Sequence, residues 1–264
     1  MWSAFSRLLR SWRETRLLKR HAIPEPLWQR TLVQYPFLQL SDAHDRSRLR
    51  RLSTLFLGEK EFHGAAGFEI SDQVAVAVAA QACLLILHLG LDHYHGFVGI
   101  VMHADQVLAR REEMDEDGLV HEFDELLAGE AMEGGPVMLC WADVQQAGGD
   151  AGPAYNVVMH EFAHVLDMAD GQADGVPLLP DSVPRAHWVQ TMQAEHQTFC
   201  QWVEAGRETS IDPYGAEGLD EFFAVAVEAF FVTPQALRAE QPRLYALLGE
   251  YFGQDPAAAT FDLR

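Results

Sequence analysis

Two stretches of this chain place ionisable side chains where apolar ones are cheap, and they restrict the fold more than any other feature. Residues 157–167 run Val-Val-Met-His-Glu-Phe-Ala-His-Val-Leu-Asp, and residues 220–231 run Asp-Glu-Phe-Phe-Ala-Val-Ala-Val-Glu-Ala-Phe-Phe. Both have the composition and spacing of buried helices. A buried imidazole or carboxylate is costly unless it finds a partner. A fold that buries these stretches must therefore supply those groups with hydrogen bonds or a cation.

The first stretch supplies a chemical reason for its histidines. On a helix, His160 and His164 are four residues apart and project from one face, close enough for both imidazoles to hold one Zn²⁺. Glu161 lies one residue round the helix, where it can reach a metal-activated water as a general base. His121-Glu122 has no second histidine at the right spacing and is set aside. A catalytic zinc needs a third protein ligand and one open position. Asp170, six residues after His164, suits an arrangement that requires glycine at 167, where this chain has Asp167. The second stretch offers two glutamates seven apart on an apolar helix. Glu221 is the expected third ligand, and Glu228, two turns on, is expected to anchor a hydrogen bond to a ligand.

Composition narrows the partners. The 264 residues carry 19 Lys and Arg against 39 Asp and Glu, a formal charge of −20, which repels phosphate backbones and argues against nucleic acid. Cys83, Cys140 and Cys200 are scattered, form no CxxC pair and suit a reducing cytoplasm. No secretory apolar core is visible. Residues 1–20 form a basic amphipathic stripe, with Trp2, Phe5, Leu9 and Trp12 at helical spacing. It is read as a terminal helix packed on an acidic body, the other reading being a membrane-surface or partner-binding helix. The stretch from Val74 to Leu91 is interrupted by Gln81 and His88 and lacks basic anchors. That predicts a buried core helix capped by Ser71 or Asp72 and no integral membrane association.

Along the chain, a proline-rich elbow at His21 to Pro26 separates helices, and Ser41-Asp42 caps a helix running toward Leu57. Residues 94–145 form the sheet region, where Phe97 to Val101 and Pro136 to Trp141 are short apolar runs bounded by glycine or proline. Glu112 to Asp117 is expected to be an exposed loop, and His93 and His95 are loop residues. The run from Val137 to Trp141 is a candidate edge strand along which an extended peptide could lie. Residues 156–232 hold the metal-binding helices. The expected architecture is a single predominantly helical, zincin-like α+β domain spanning 1–264, with a small central mixed sheet.

The combination His160-Glu161-Phe162-Ala163-His164, Asp212-Pro213-Tyr214 and Glu221-x-Phe223-Ala224-Val225 resembles the Mlc titration factor family of bacterial zinc peptidases. Leu27-Trp28, Lys60-Glu61-Phe62 and Gly135-Pro136-Val137 with Trp141 extend the likeness over most of the chain beyond residue 20. The resemblance implies a cytoplasmic, zincin-type peptidase with aminopeptidase-like activity. His160, His164 and Glu221 would be ligands and Glu161 the base. It also implies binding to a sugar-responsive transcriptional repressor, Mlc. By the same match Tyr214 would point into the site and stabilise an oxyanion; otherwise it is a turn tyrosine after Asp-Pro. Peptide is the expected substrate. Two other readings stay open: a repressor-sequestering binding protein with a non-catalytic zinc site, and a zinc hydrolase acting on a non-peptide amide.

Overall fold

The computed structural model describes residues 12–114, 120–147 and 154–258. Residues 12–20 are helical (α1), followed by α2 (Glu25–Gln34) and α3 (Ala43–Glu59). Strand β1 (Glu61–Gly64) precedes α4 (Asp72–Leu85), and β2 (Gly99–His103), β3 (Val107–Met114), β4 (Val120–Leu127), β5 (Gly129–Ala131) and β6 (Val137–Cys140) come after it. The rest is helical: α5 (Trp141–Gln146), α6 (Val157–Asp167), α7 (Arg185–Glu204), α8 (Leu219–Val232), α9 (Pro234–Glu240) and α10 (Pro242–Phe252). The chain is thus a predominantly helical α+β protein with a small mixed sheet.

Local chemistry starts the helices where the sequence predicts. Asp42 accepts from the Asp45 amide at 2.9 Å to open α3, and Ser71 accepts from the Val74 amide at 3.3 Å to open α4. The α4 helix is buried along nearly its whole length. Its polar Gln81 is fully satisfied, donating to the Ala77 carbonyl at 3.1 Å and accepting from Asn156 Nδ2 at 2.8 Å. Among the described residues no helix is long and apolar enough to cross a membrane. The α1 segment lies against α3: a Cβ on Gly58 would come within 2.9 Å of Leu17 Cδ2, and Arg51 pairs with Glu14. Residues 12–20 therefore pack as a terminal helix, while residues 1–11 of the expected amphipathic stripe lie outside the described residues.

The sheet runs β1-β2-β6-β5, the first three strands parallel and β5 antiparallel to β6, while β3 and β4 form a separate antiparallel ribbon. Three expectations need correction. The sheet recruits β1 from well before residue 94. Residues 112–114 of the expected loop continue β3, and 115–117 lie outside the described residues. The run from Val137 is not the edge: β6 pairs on both sides, all four of its residues are buried, and Trp141 already begins α5. The edges are β1 and β5, and β5 is joined to β6 by a turn in which Gly134 takes φ +62°, a conformation that glycine adopts without strain.

Candidate metal centre

Helix α6 is fixed at three points. Asn156 caps it through Oδ1, accepting from the Met159 amide at 3.0 Å, and its side-chain amide reaches Gln81 on α4. The Asn156 backbone N–H donates to Glu228 on α8. On the far face Phe162 enters an aromatic cluster, its ring centroid 5.0 Å from Tyr94, 5.7 Å from Phe97 and 5.8 Å from Phe56. Such edge-to-face and tilted contacts lock the helix rotation. That leaves His160, Glu161 and His164 facing a cavity of about 470 Å³.

Helix α8 brings the remaining acid. Glu221 lies in its first turn, where the positive end of the helix dipole favours a carboxylate. Its Oε2 is 3.2 Å from His160 Nε2 and 3.4 Å from His164 Nε2, and the two imidazole nitrogens are 3.2 Å apart. Donors about 2.0–2.1 Å from a tetrahedral zinc lie about 3.3 Å from each other. The three atoms thus have the spacing of one face of such a tetrahedron, and all three residues line the cavity.

Protonation makes the case for a cation stronger. Glu228 Oε1 lies 2.9 Å from His160 Nδ1, so the ring carries its proton there and turns the Nε2 lone pair toward Glu221. Glu221 Oε2 is then buried with no hydrogen-bond donor. Two nitrogen lone pairs and a carboxylate at this spacing repel one another unless something positive sits between them. When no ion is bound, a proton meets the same demand for positive charge. Burial opposes charge on His160, yet Glu221 and Glu228 outweigh it and hold the ring well above its ordinary pKa. Burial raises Glu221, but His160 and His164 pull it down to about 2. The donor set, two imidazoles and a carboxylate beside a cavity, fits Zn²⁺.

Glu161 stands beside this triangle rather than in it. Burial pushes its pKa up to about 7, against the pull of His160 and His164, and the Ala131 amide donates to it. Strand β5 presses on it so closely that a Cβ on Gly129 would lie 2.5 Å from Glu161 Oε1. The glycine leaves room for the carboxylate, and the β5 backbone orients it. Tyr214 lies on the 3-10 turn Pro213–Ala216, which Asp212 caps by accepting from the Tyr214 amide at 2.9 Å. Its ring lines the cavity with its centroid 6.2 Å from that of His160.

The structure therefore brings His160, Glu161, His164, Glu221 and Tyr214 to one cavity, with Glu228 behind His160. It does not bring Asp170 there: that residue ends a 3-10 turn, accepts from the Gln172 amide at 3.2 Å and lies 3.9 Å from Arg185. His121 and Glu122 belong to β4, not to a helix. Sequence reading missed Gly129 and the β5 wall. The available signal was Gly134-Gly135 before Pro136, a hairpin turn with a strand required on each side.

Comparison with known proteins gives the family. A protein of Synechocystis described as uncharacterized is 35% identical over 247 residues, covering 93% of this chain and 89% of that protein. Mlc titration factor A of Escherichia coli is 31% identical over 248 residues, 93% of this chain and 91% of its own. Its namesake in Cronobacter sakazakii is 32% identical over 232 residues, 87% and 86% of the two chains. The model of one metallopeptidase family matches residues 9–253, which takes in the whole cavity and both helices that build it. The chain belongs to the glucose-regulated metallo-peptidase family M90.

Proposed function

We propose that the protein is a zinc-dependent peptidase that hydrolyses peptide bonds at the amino end of its substrates, with His160, His164 and Glu221 holding the metal. The observation that carries this reading is the 3.2–3.4 Å triangle of donors with its donor-less Glu221 oxygen. Bound zinc would supply Lewis acidity to a water and to the scissile carbonyl. Glu161 takes a proton from the attacking water as its oxygen adds to the carbonyl carbon. It then passes that proton to the amide nitrogen, which leaves as an amine when the C–N bond breaks. Burial, which disfavours its charged form, makes this carboxylate a stronger base than an exposed one. Glu228 keeps His160 in one tautomer and orientation. Tyr214 donates its phenolic O–H to the oxyanion as negative charge develops there.

An extended substrate fits along β5, whose side away from β6 pairs with no strand among the described residues. The cavity lining also carries Glu130 and Asp220 and, among the described residues, contains no Lys or Arg. With zinc offset by Glu161 and Glu221, those two carboxylates favour a cationic group such as a peptide's terminal ammonium. The relatives' name points to Mlc, and a repressor of that type is the protein partner this reading assigns to the chain, in the cytoplasm. A purely sequestering role would leave Glu161, held beside the cavity, without a task.

The test is hydrolysis of matched peptides with free and acetylated amino ends by zinc-loaded and chelator-stripped protein. The reading expects cleavage only with metal and preference for the free ends. No cleavage of any peptide by the zinc-loaded protein would contradict it.

A further inference from the structure

We infer that the β3–β4 ribbon carries a subsite for one apolar side chain of the substrate, on the leaving-group side of the cleaved bond. The inference rests on the peptidase reading above and extends it to substrate choice.

Leu108 and Leu126 face each other across the ribbon, and each is more than 60% exposed. A single exposed leucine needs no explanation, but a cross-strand pair held out into solvent is a small apolar platform. Its position gives it a role. Strand β4 runs into β5 with only Ala128 between them, and every residue from Leu126 to Ala131 lines the metal cavity. The platform and the strand that orients Glu161 are thus one continuous wall. Gly129, which touches Glu161, is three residues from Leu126, or about 10 Å of extended chain. A peptide lying along this wall advances at the same rise, so its third residue from the reacting bond meets the leucine pair.

The direction follows from the proposed removal of residues from the amino end. That leaves too little substrate on the acyl side to span about 10 Å, so the contact falls in the leaving peptide. The platform is also narrow: the next pair on the same face is Arg110 opposite Asp124, which closes it with charge. It accepts one apolar side chain, not an apolar stretch.

The experiment uses the full zinc-loaded chain and its Leu108→Ala/Leu126→Ala double variant; both positions are exposed, so the fold tolerates the change. Two peptides, Ala-Ala-Ala-Leu-Ala and Ala-Ala-Ala-Ala-Ala, are compared for release of the first residue. Two ligands with a hydroxamate replacing that residue, followed by Ala-Ala-Leu or Ala-Ala-Ala, are compared by calorimetry. The parent should favour leucine by about fivefold to tenfold in kcat/KM and in hydroxamate affinity, as expected for a half-buried leucine. The double variant should bring both ratios within about twofold. Equal treatment of the two sequences by the parent, or an undiminished preference in the double variant, overturns the subsite. Hydrolysis without discrimination removes the subsite and leaves the peptidase reading standing. Discrimination in hydroxamate binding, lost in the double variant, with no hydrolysis of any peptide does the reverse.

Discussion

The described residues contain two places where three metal-ligating side chains come within 4.8 Å of each other: His160, His164 and Glu221, and Asp42, His44 and Asp45. They differ in what else those atoms do. Asp42 is spent on capping α3, and Asp45 lies 3.4 Å from His88 and 3.5 Å from His44 at an exposed helix start. Its carboxylates have protein partners or face solvent, and it comes from a single short segment. The buried triad joins two helices distant in sequence, fixes one imidazole through Glu228 and leaves a carboxylate oxygen without a donor. Ligand-type residues in proximity are common. A site organised for a metal is recognised by atoms that have no other partner.

Variants can break or sharpen that contrast. The largest effect expected is from Glu161→Gln, which should retain the metal and lose turnover by roughly 10²- to 10⁴-fold, measured as kcat alongside metal content. Tyr214→Phe should lower kcat by roughly 10- to 1,000-fold with KM little changed, since its hydrogen bond matures only at the transition state. A kcat within about twofold of the parent would make it a turn residue. Glu228→Gln should weaken metal binding by roughly 10- to 100-fold through a less firmly held His160, as read by competition with a chromophoric chelator. At the exposed cluster, Asp42→Ala should leave metal content unchanged and lower the urea midpoint only slightly, the ordinary effect of losing a cap. Loss of metal from that variant would erase the distinction drawn between the two clusters.

How much of this was legible in the sequence follows the range of the interactions. Helix starts at Asp42 and Ser71 and the burial of α4 are local and were readable. The pairing of α6 with α8 was readable because Glu221 and Glu228 are anomalous in an apolar helix and His160 and His164 require a third donor. Strand order was not, because pairing is decided between segments far apart. Even so, the run Val137-Met138-Leu139-Cys140 lacks the alternation of a half-exposed strand, and its continuous apolarity marks an interior one. The edge beside β6 fell to β5, three residues long with a glycine and a glutamate, too short for a periodic signal. Gly129 is meaningful only beside Glu161, and that contact exists only after folding.

The central claim is that one buried triangle of side chains holds one zinc. Metal content per chain, measured by mass spectrometry on the extensively dialysed protein and on Glu221→Gln, tests it most directly. The account predicts one zinc per parent chain and nearly none in the variant, with both proteins folded by circular dichroism. A variant that keeps its full zinc, or a folded parent that takes up none from a zinc-containing buffer, would contradict it.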